Sequence, residues 1–190
     1  NGYSDEWKEE AAGRGLSNVP TTPPALDAFV TEASSHLFER LGIYSHVELH
    51  ARHEILLEDY IKRVQIESRV MGDLAVNHII PTAVAYQNKL VQNVRGLREL
   101  GLDDEYSQVT VDSVKEISRR IATIKNTVGE MIDERKKANK LEDTRERALA
   151  YGANIRPLFD VIRRQVDKLE LLVADEDWPL VKYRELLFLH

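Results

Sequence analysis

Apolar residues in this chain recur at intervals of three and four and almost never alternate with polar ones. Such spacing predicts helices and argues against strands. The cleanest stretch is Val114, Ile117, Ile121, Ile124, Val128 and Met131, spaced 3-4-3-4-3 as a heptad seam. A second seam follows at Ala148, Tyr151, Ile155, Leu158, Ile162, Leu169 and Leu172, with Gln165 in one apolar seat and Pro157 as a point of bending. Between the seams, Arg135, Lys136, Lys137 and Lys140 give way to Glu142 and Asp143. Cations suit the partial negative charge of a helix C-terminus and anions suit the next N-terminus. The reversal predicts a tight turn near 139–141, with helices over 108–138 and 142–174 lying antiparallel.

The longest helical pattern opens at Ser45-x-x-Glu48, a capping box, and runs to about Leu100 before Gly101. Uninterrupted, it would measure ~80 Å at about 1.5 Å per residue. Within it lies VMGDLAVNHIIPTAVAYQNKL, residues 70–90, with Pro81 in the middle. A proline there removes a donor and presses on the Asn77 carbonyl, at a cost of ~3 kcal/mol or more. Ile79, Ala83, Tyr86 and Leu90 nevertheless continue the apolar stripe, so a bent but helical segment is predicted. The buried face would pass from Val64 and Met71 to Ala83, Tyr86 and Leu90. Upstream, Thr22-Pro23 reads as a cap and first helical position, and Gly42 stops that helix after Leu41. Leu16 to Pro24 reads as loop, 102–107 as a turn, and Asp175 to Pro179 as the end of the last long helix before a short KYRELLF. The expected fold is all-α: an antiparallel bundle of long helices, one kinked at a proline, with short N-terminal helices. Residues 1–44 would hold the short helices and loop, and 45–190 the long-helix bundle, in one compact unit.

Composition narrows the function classes. At 190 residues, 31% charged and 43% hydrophobic, the chain can bury a core. A net charge of −6 without a basic stripe argues against nucleic acid. The absence of cysteine excludes a disulfide framework, a thiolate metal site and a thiol nucleophile. No apolar run approaches the ~18 residues of a membrane span and no signal peptide opens the chain, which reads as a cytoplasmic protein without a membrane partner. Its start at Asn1-Gly2-Tyr3, without Met, reads as a segment of something longer.

Candidate chemistry is sparse. His46, His50 and His53 with Glu54 have i,i+4 spacing but do not form HExxH, and a solvated first turn explains them equally well. Asp175-Glu176-Asp177 lacks the spacing of a calcium loop. No phosphate loop is present. Arg145, Arg147 and Lys182 read as solvated or ion-paired. Neutral amides are denser than solvation requires, however: Asn77, Gln87, Asn88, Gln92 and Asn93, with the imidazole of His78 among them, sit in or beside the proline segment. Such groups suit an interface or a buried polar network, because they hydrogen-bond without carrying charge. No residue is assigned a catalytic, cofactor or metal role.

Seven stretches carry a resemblance: NGYSDEW (1–7), NHIIPTA (77–83), YQN (86–88), NVRGL (93–97), RERALAY (145–151), KLELLV (168–173) and WPLVKYRELLF (178–188). Together they resemble the C-terminal region of type III glutamine synthetases, the large bacterial form of glutamate–ammonia ligase. The resemblance implies a parent enzyme that joins glutamate and ammonia through an acyl phosphate, using ATP with Mg²⁺ or Mn²⁺. In that family the metal ligands, glutamate-binding arginines and nucleotide loop belong to an upstream β-grasp and catalytic domain, and none of those motifs is present here. The chain would then be an inactive helical domain, residues 1–44 linking it to the catalytic part, with neighbouring subunits of a homo-oligomer as its other partners. The His46/His50/His53 run departs from the family's pattern. The alternative reading is an independent helical adaptor that receives a partner helix.

Overall fold

Helix boundaries follow local capping chemistry, and two predicted signals are met atom for atom. Glu48 N–H donates to Ser45 Oγ (3.3 Å) while Ser45 N–H donates back to Glu48 Oε2 (2.9 Å), closing the capping box. Gly42, at φ 64°, ends its helix in a left-handed turn. There Ile43 N–H reaches Phe38 O (3.0 Å) and Gly42 N–H reaches Glu39 O (3.0 Å). Both bonds satisfy carbonyls that the last helical turn leaves without a partner.

The computed structural model describes residues 4–102 and 104–187. The first residues of NGYSDEW and the last of WPLVKYRELLF lie outside that range. The elements are α1 Asp5–Gly13, α2 Thr22–Leu26, α3 Glu32–Arg40, α4 His46–Asp73, α5 Ile80–Glu99, α6 Asp104–Ala138, α7 Thr144–Ala150, α8 Arg156–Glu170 and α9 Tyr183–Leu186. Short 3₁₀ turns occur at Asp27–Val30 and Asp175–Asp177, and π turns at Leu74–Ile79 and Tyr151–Ile155. No strand occurs among the described residues, so the fold is all-α.

The chain gathers into two compact units, Asn1–Arg63 with Ala138–Ala153, and Val64–Lys137 with Asn154–His190. In the first, Leu49, Leu57, Ala148 and Tyr151 are buried, and the Tyr151 hydroxyl donates to Asn139 Oδ1 at 2.7 Å. Gly152 lies so close to Tyr60 that an added Cβ would sit 3.1 Å from its hydroxyl, with the Pro23 ring 3.7 Å away. In the second unit, the end of α4 (64–73) and α5 run antiparallel to α6. Gln87 donates to Val114 O (2.9 Å) near the start of α6. Near its other end Arg135 donates to Ser68 Oγ (3.2 Å), and Gly72 faces Val128 and Met131. Ile117, Ile124, Val128 and Met131 are buried along the predicted seam, while Ile121 is half-buried.

Pro81 lies in unbroken helix, as its sequence context predicts. The π turn Leu74–Ile79 precedes it, Ile80 N–H bonds to Ala75 O five residues back, and Pro81 is the second residue of α5. The second proline, Pro157, repeats the arrangement: it is the second residue of α8, directly after the π turn Tyr151–Ile155. That turn corrects the expected second seam. Tyr151, Ile155, Phe159, Ile162 and Leu169 are buried, and Leu158 is only half-buried. The wider π turn steps the buried face by four and four, where a heptad steps by four and three. The seat held by Gln165 is explained by Arg120, whose Nη1 donates to Gln165 Oε1 at 2.9 Å while its Nε donates to Glu116 (3.1 Å).

Three boundaries also differ from expectation. The capping position before Pro23 falls on Thr21, and the helix expected to continue to Leu41 is broken by a 3₁₀ turn. It restarts as α3 behind Thr31, whose Oγ1 accepts from Ser34 N–H (3.2 Å). Helix α6 starts at Asp104, where two acidic residues favour a helix N-terminus, so the turn before it is shorter. Helix α8 ends at Glu170, and Val173 is buried beyond it.

Core truncations test this packing. Ile124→Ala should cost about 2–5 kcal/mol and Phe159→Ala about 3–5 kcal/mol, with Leu158→Ala costing less than Phe159→Ala and Lys136→Ala little. Denaturant midpoints rank the four, and a larger loss at Leu158 than at Phe159 would restore the heptad reading. Pro81→Ala should not gain the ~3 kcal/mol that propensity alone offers, because regularising the turn would displace buried Ala75, Ile79 and Ala83. A midpoint raised by that full amount would show the π turn to be incidental.

Candidate functional site

The first unit contains a polar clasp whose parts come from three segments far apart in sequence. Asp27 opens the 3₁₀ turn that follows α2, His53 lies two turns into α4, and Arg145 sits in the first turn of α7. Arg145 donates to the Asp27 carboxylate through Nε (3.0 Å to each oxygen) and Nη2 (2.7 Å to Oδ2). His53 Nε2 lies 3.2 Å from Oδ1, and since a carboxylate only accepts, that nitrogen carries the proton. His53 is 8% exposed. The guanidinium of Arg145 holds the Asp27 carboxyl below its ordinary 3.8; partial burial opposes this and His53 adds to it.

An open cavity of about 860 Å³ lies beside the clasp, lined in part by Val47, His50, Glu54, Asp143 and Thr144. With both Asp27 oxygens engaged by Arg145, the clasp holds no free base or nucleophile. Its chemistry is structural, pinning the 3₁₀ turn to α4 and α7. The histidine run is accordingly divided: His53 is committed to Asp27, while His46 and His50 are exposed with ring centroids 4.2 Å apart. Among the described residues no group of three or more His, Asp or Glu could hold a metal ion.

In the second unit, the amide-rich residues do not converge on one another. Gln87 is half-buried, donating to Val114 O and to Ser118 Oγ (2.5 Å). Asn77 is exposed and donates to Asp73 (2.5 Å), and His78, Asn88 and Asn93 are exposed. The acidic run 175–177 receives its cations from lysines: Lys89 Nζ lies 2.7 Å from both Asp177 oxygens, and Lys182 pairs with Asp175. Arg145 and Lys182 are therefore ion-paired, as read from sequence, whereas the buried Nε of Arg147 has no hydrogen-bond partner among the described residues.

Sequence reasoning missed Asp27, because nothing local distinguishes it from any other acid near a helix end. It also missed an apolar groove of about 540 Å³ in the second unit, lined by Ile66, Val70 and Leu74 on one side and Phe159 and Val166 on the other. The signal existed in part, since Ile66 and Val70 fall four apart on a face of α4 that the predicted core did not use.

Residues 1–98, a little over half of the chain, match the family model described as the glutamine synthetase C-terminal domain. The chain belongs to this family. Over 191 residues it is 46% identical to a glutamine synthetase of Bacteroides fragilis, covering 99% of this chain and 26% of that protein. It is 33% identical to a type-3 glutamine synthetase of Dictyostelium discoideum over 196 residues, again 26% of that protein, and 31% identical to a glutamine synthetase of Butyrivibrio fibrisolvens. The chain thus spans about a quarter of the length of these glutamine synthetases. No helix among the described residues is long and apolar enough to cross a membrane.

The Asp27 clasp yields a pH test for the glutamine synthetase domain. Because the folded-state carboxyl sits below its ordinary 3.8, its stabilisation is complete above that value and is lost as pH falls through the folded value. Asp27→Asn should lower stability near neutrality and flatten this part of the acid limb. Denaturant unfolding from about pH 6 to about pH 2 checks it, and parallel curves for the two proteins would remove Asp27 from the acid response.

Proposed function

We propose that this chain is the non-catalytic helical C-terminal domain of an ATP-dependent glutamine synthetase of type III, serving domain docking and subunit assembly. The observation that carries the proposal is its end-to-end match to glutamine synthetases about four times its length. In this reading residues 1–44 lead in from the catalytic part, and 45–190 form the helical body held against it and against neighbouring subunits of a cytoplasmic homo-oligomer. The parent condenses glutamate and ammonia with ATP and Mg²⁺ or Mn²⁺. Among the described residues no group of three or more His, Asp or Glu could hold a metal ion, and Lys89, Arg145 and Lys182 are paired with Asp177, Asp27 and Asp175. In this reading metal and nucleotide are held by the rest of the enzyme. Exposed Asn77, His78, Asn88 and Asn93, with half-buried Gln87 beside them, suit an interface that pairs amides with groups from the catalytic part.

An independent helical adaptor remains the second reading, favoured by the open apolar groove. Truncation separates the two. The full-length enzyme without this segment should lose its assembled form in sedimentation and with it glutamine formation, while the segment alone should show no ATP binding at micromolar concentration. Adding the segment back as a separate chain should restore assembly. A truncated enzyme that assembles and turns over like the intact one would overturn the proposal and leave the adaptor reading.

A further inference from the structure

The apolar groove of the second unit is where the proposed docking can be localised. Its walls are Ile66 and Val70 of α4, Leu74 and Ile79 of the first π turn, and Phe159 and Val166 of α8. Glu67 and Arg163 are the charged side chains along it. Ile66 is 62% exposed and Val70 52%, on a helix whose opposite face carries buried Val64 and Ser68. Large aliphatics this exposed, gathered along one groove, mark an interaction surface rather than ordinary solvent-facing residues. A small-molecule site would need several convergent polar groups to orient its ligand, and here there is one acid and one base. A π turn in the wall adds a second sign, since π turns occur disproportionately at functional positions.

Resting on the docking reading, we infer that the groove is filled by an apolar segment of the catalytic portion of the protein's own full-length chain. Two observations select this occupant. The matched glutamine synthetases carry about three quarters of their length outside the region aligned here, so the tethered partner is present at high effective concentration. A second copy of this segment is disfavoured, because each carries a net charge of −6 and the groove offers only one cation, Arg163, against it. The partner segment presents aliphatic or aromatic side chains to Ile66, Val70 and Phe159, with a polar edge toward Glu67 and Arg163.

The test uses the intact full-length enzyme. Ile66→Cys, Val70→Cys and, as a control, Val109→Cys on α6 (79% exposed) are treated with N-ethylmaleimide, and labelling at each position is followed by peptide mass spectrometry. The thiols introduced at 66 and 70 should react about tenfold more slowly than the one at 109, at every protein concentration. Equal rates at all three positions overturn the inference. Protection that disappears on dilution to single subunits assigns the groove to a second copy and also overturns it. The docking reading is judged separately: if the truncated enzyme and the added-back segment still associate while the groove thiols react freely, docking stands and this surface is not its seat.

Discussion

A helix that passes through a proline must surrender a backbone hydrogen bond and make room for a ring against the preceding turn. The second unit depends on how that demand is met. A π turn, Leu74–Ile79, widens the helix just before Pro81, and Tyr151–Ile155 does the same before Pro157. Because each turn also carries buried residues, Ala75 and Ile79 in one and Tyr151 and Ile155 in the other, the accommodation sets which side chains face inward beyond it. Phe159 on α8 is a core residue for that reason, and the apolar groove is bounded by the first π turn itself.

Much of this was legible in the residue pattern, because short-range rules leave local signatures. Ser45 and Glu48 announced a capping box, Gly42 a helix stop, and the α6 aliphatics a seam in which Ile117, Ile124, Val128 and Met131 are indeed buried. Both prolines were marked as points of bending. Their π turns were not, since heptad counting assumes a constant pitch, and for that reason Leu158 stood in the place of Phe159. The Asp27 clasp was illegible for another reason: Arg145 lies 118 residues away, and no local rule couples them.

The candidate sites divide by chemistry. In the first unit, the clasp consumes its own charge: Asp27 takes Arg145 and His53. In the second, the unusual surface is an apolar groove with Glu67 and Arg163 along it, and the amides Asn77, Asn88 and Asn93 with the imidazole of His78 are exposed elsewhere in the unit. Both arrangements are compatible with the docking role proposed above, in a family whose longer members are named glutamine synthetase.

The π turn has one more consequence, in the geometry of insertion. Within a helix each added residue rotates everything beyond it by about 100° while lengthening the rod by only about 1.5 Å. The turn at Leu74–Ile79 therefore acts as a dial between α4 and α5, fixing which side of the later helix faces outward at almost no change in span. A lineage that gained or lost a single residue there would turn the Asn88 and Asn93 surface to a new heading without altering any side chain on it, so the direction in which this domain presents itself is encoded in chain length as much as in residue identity.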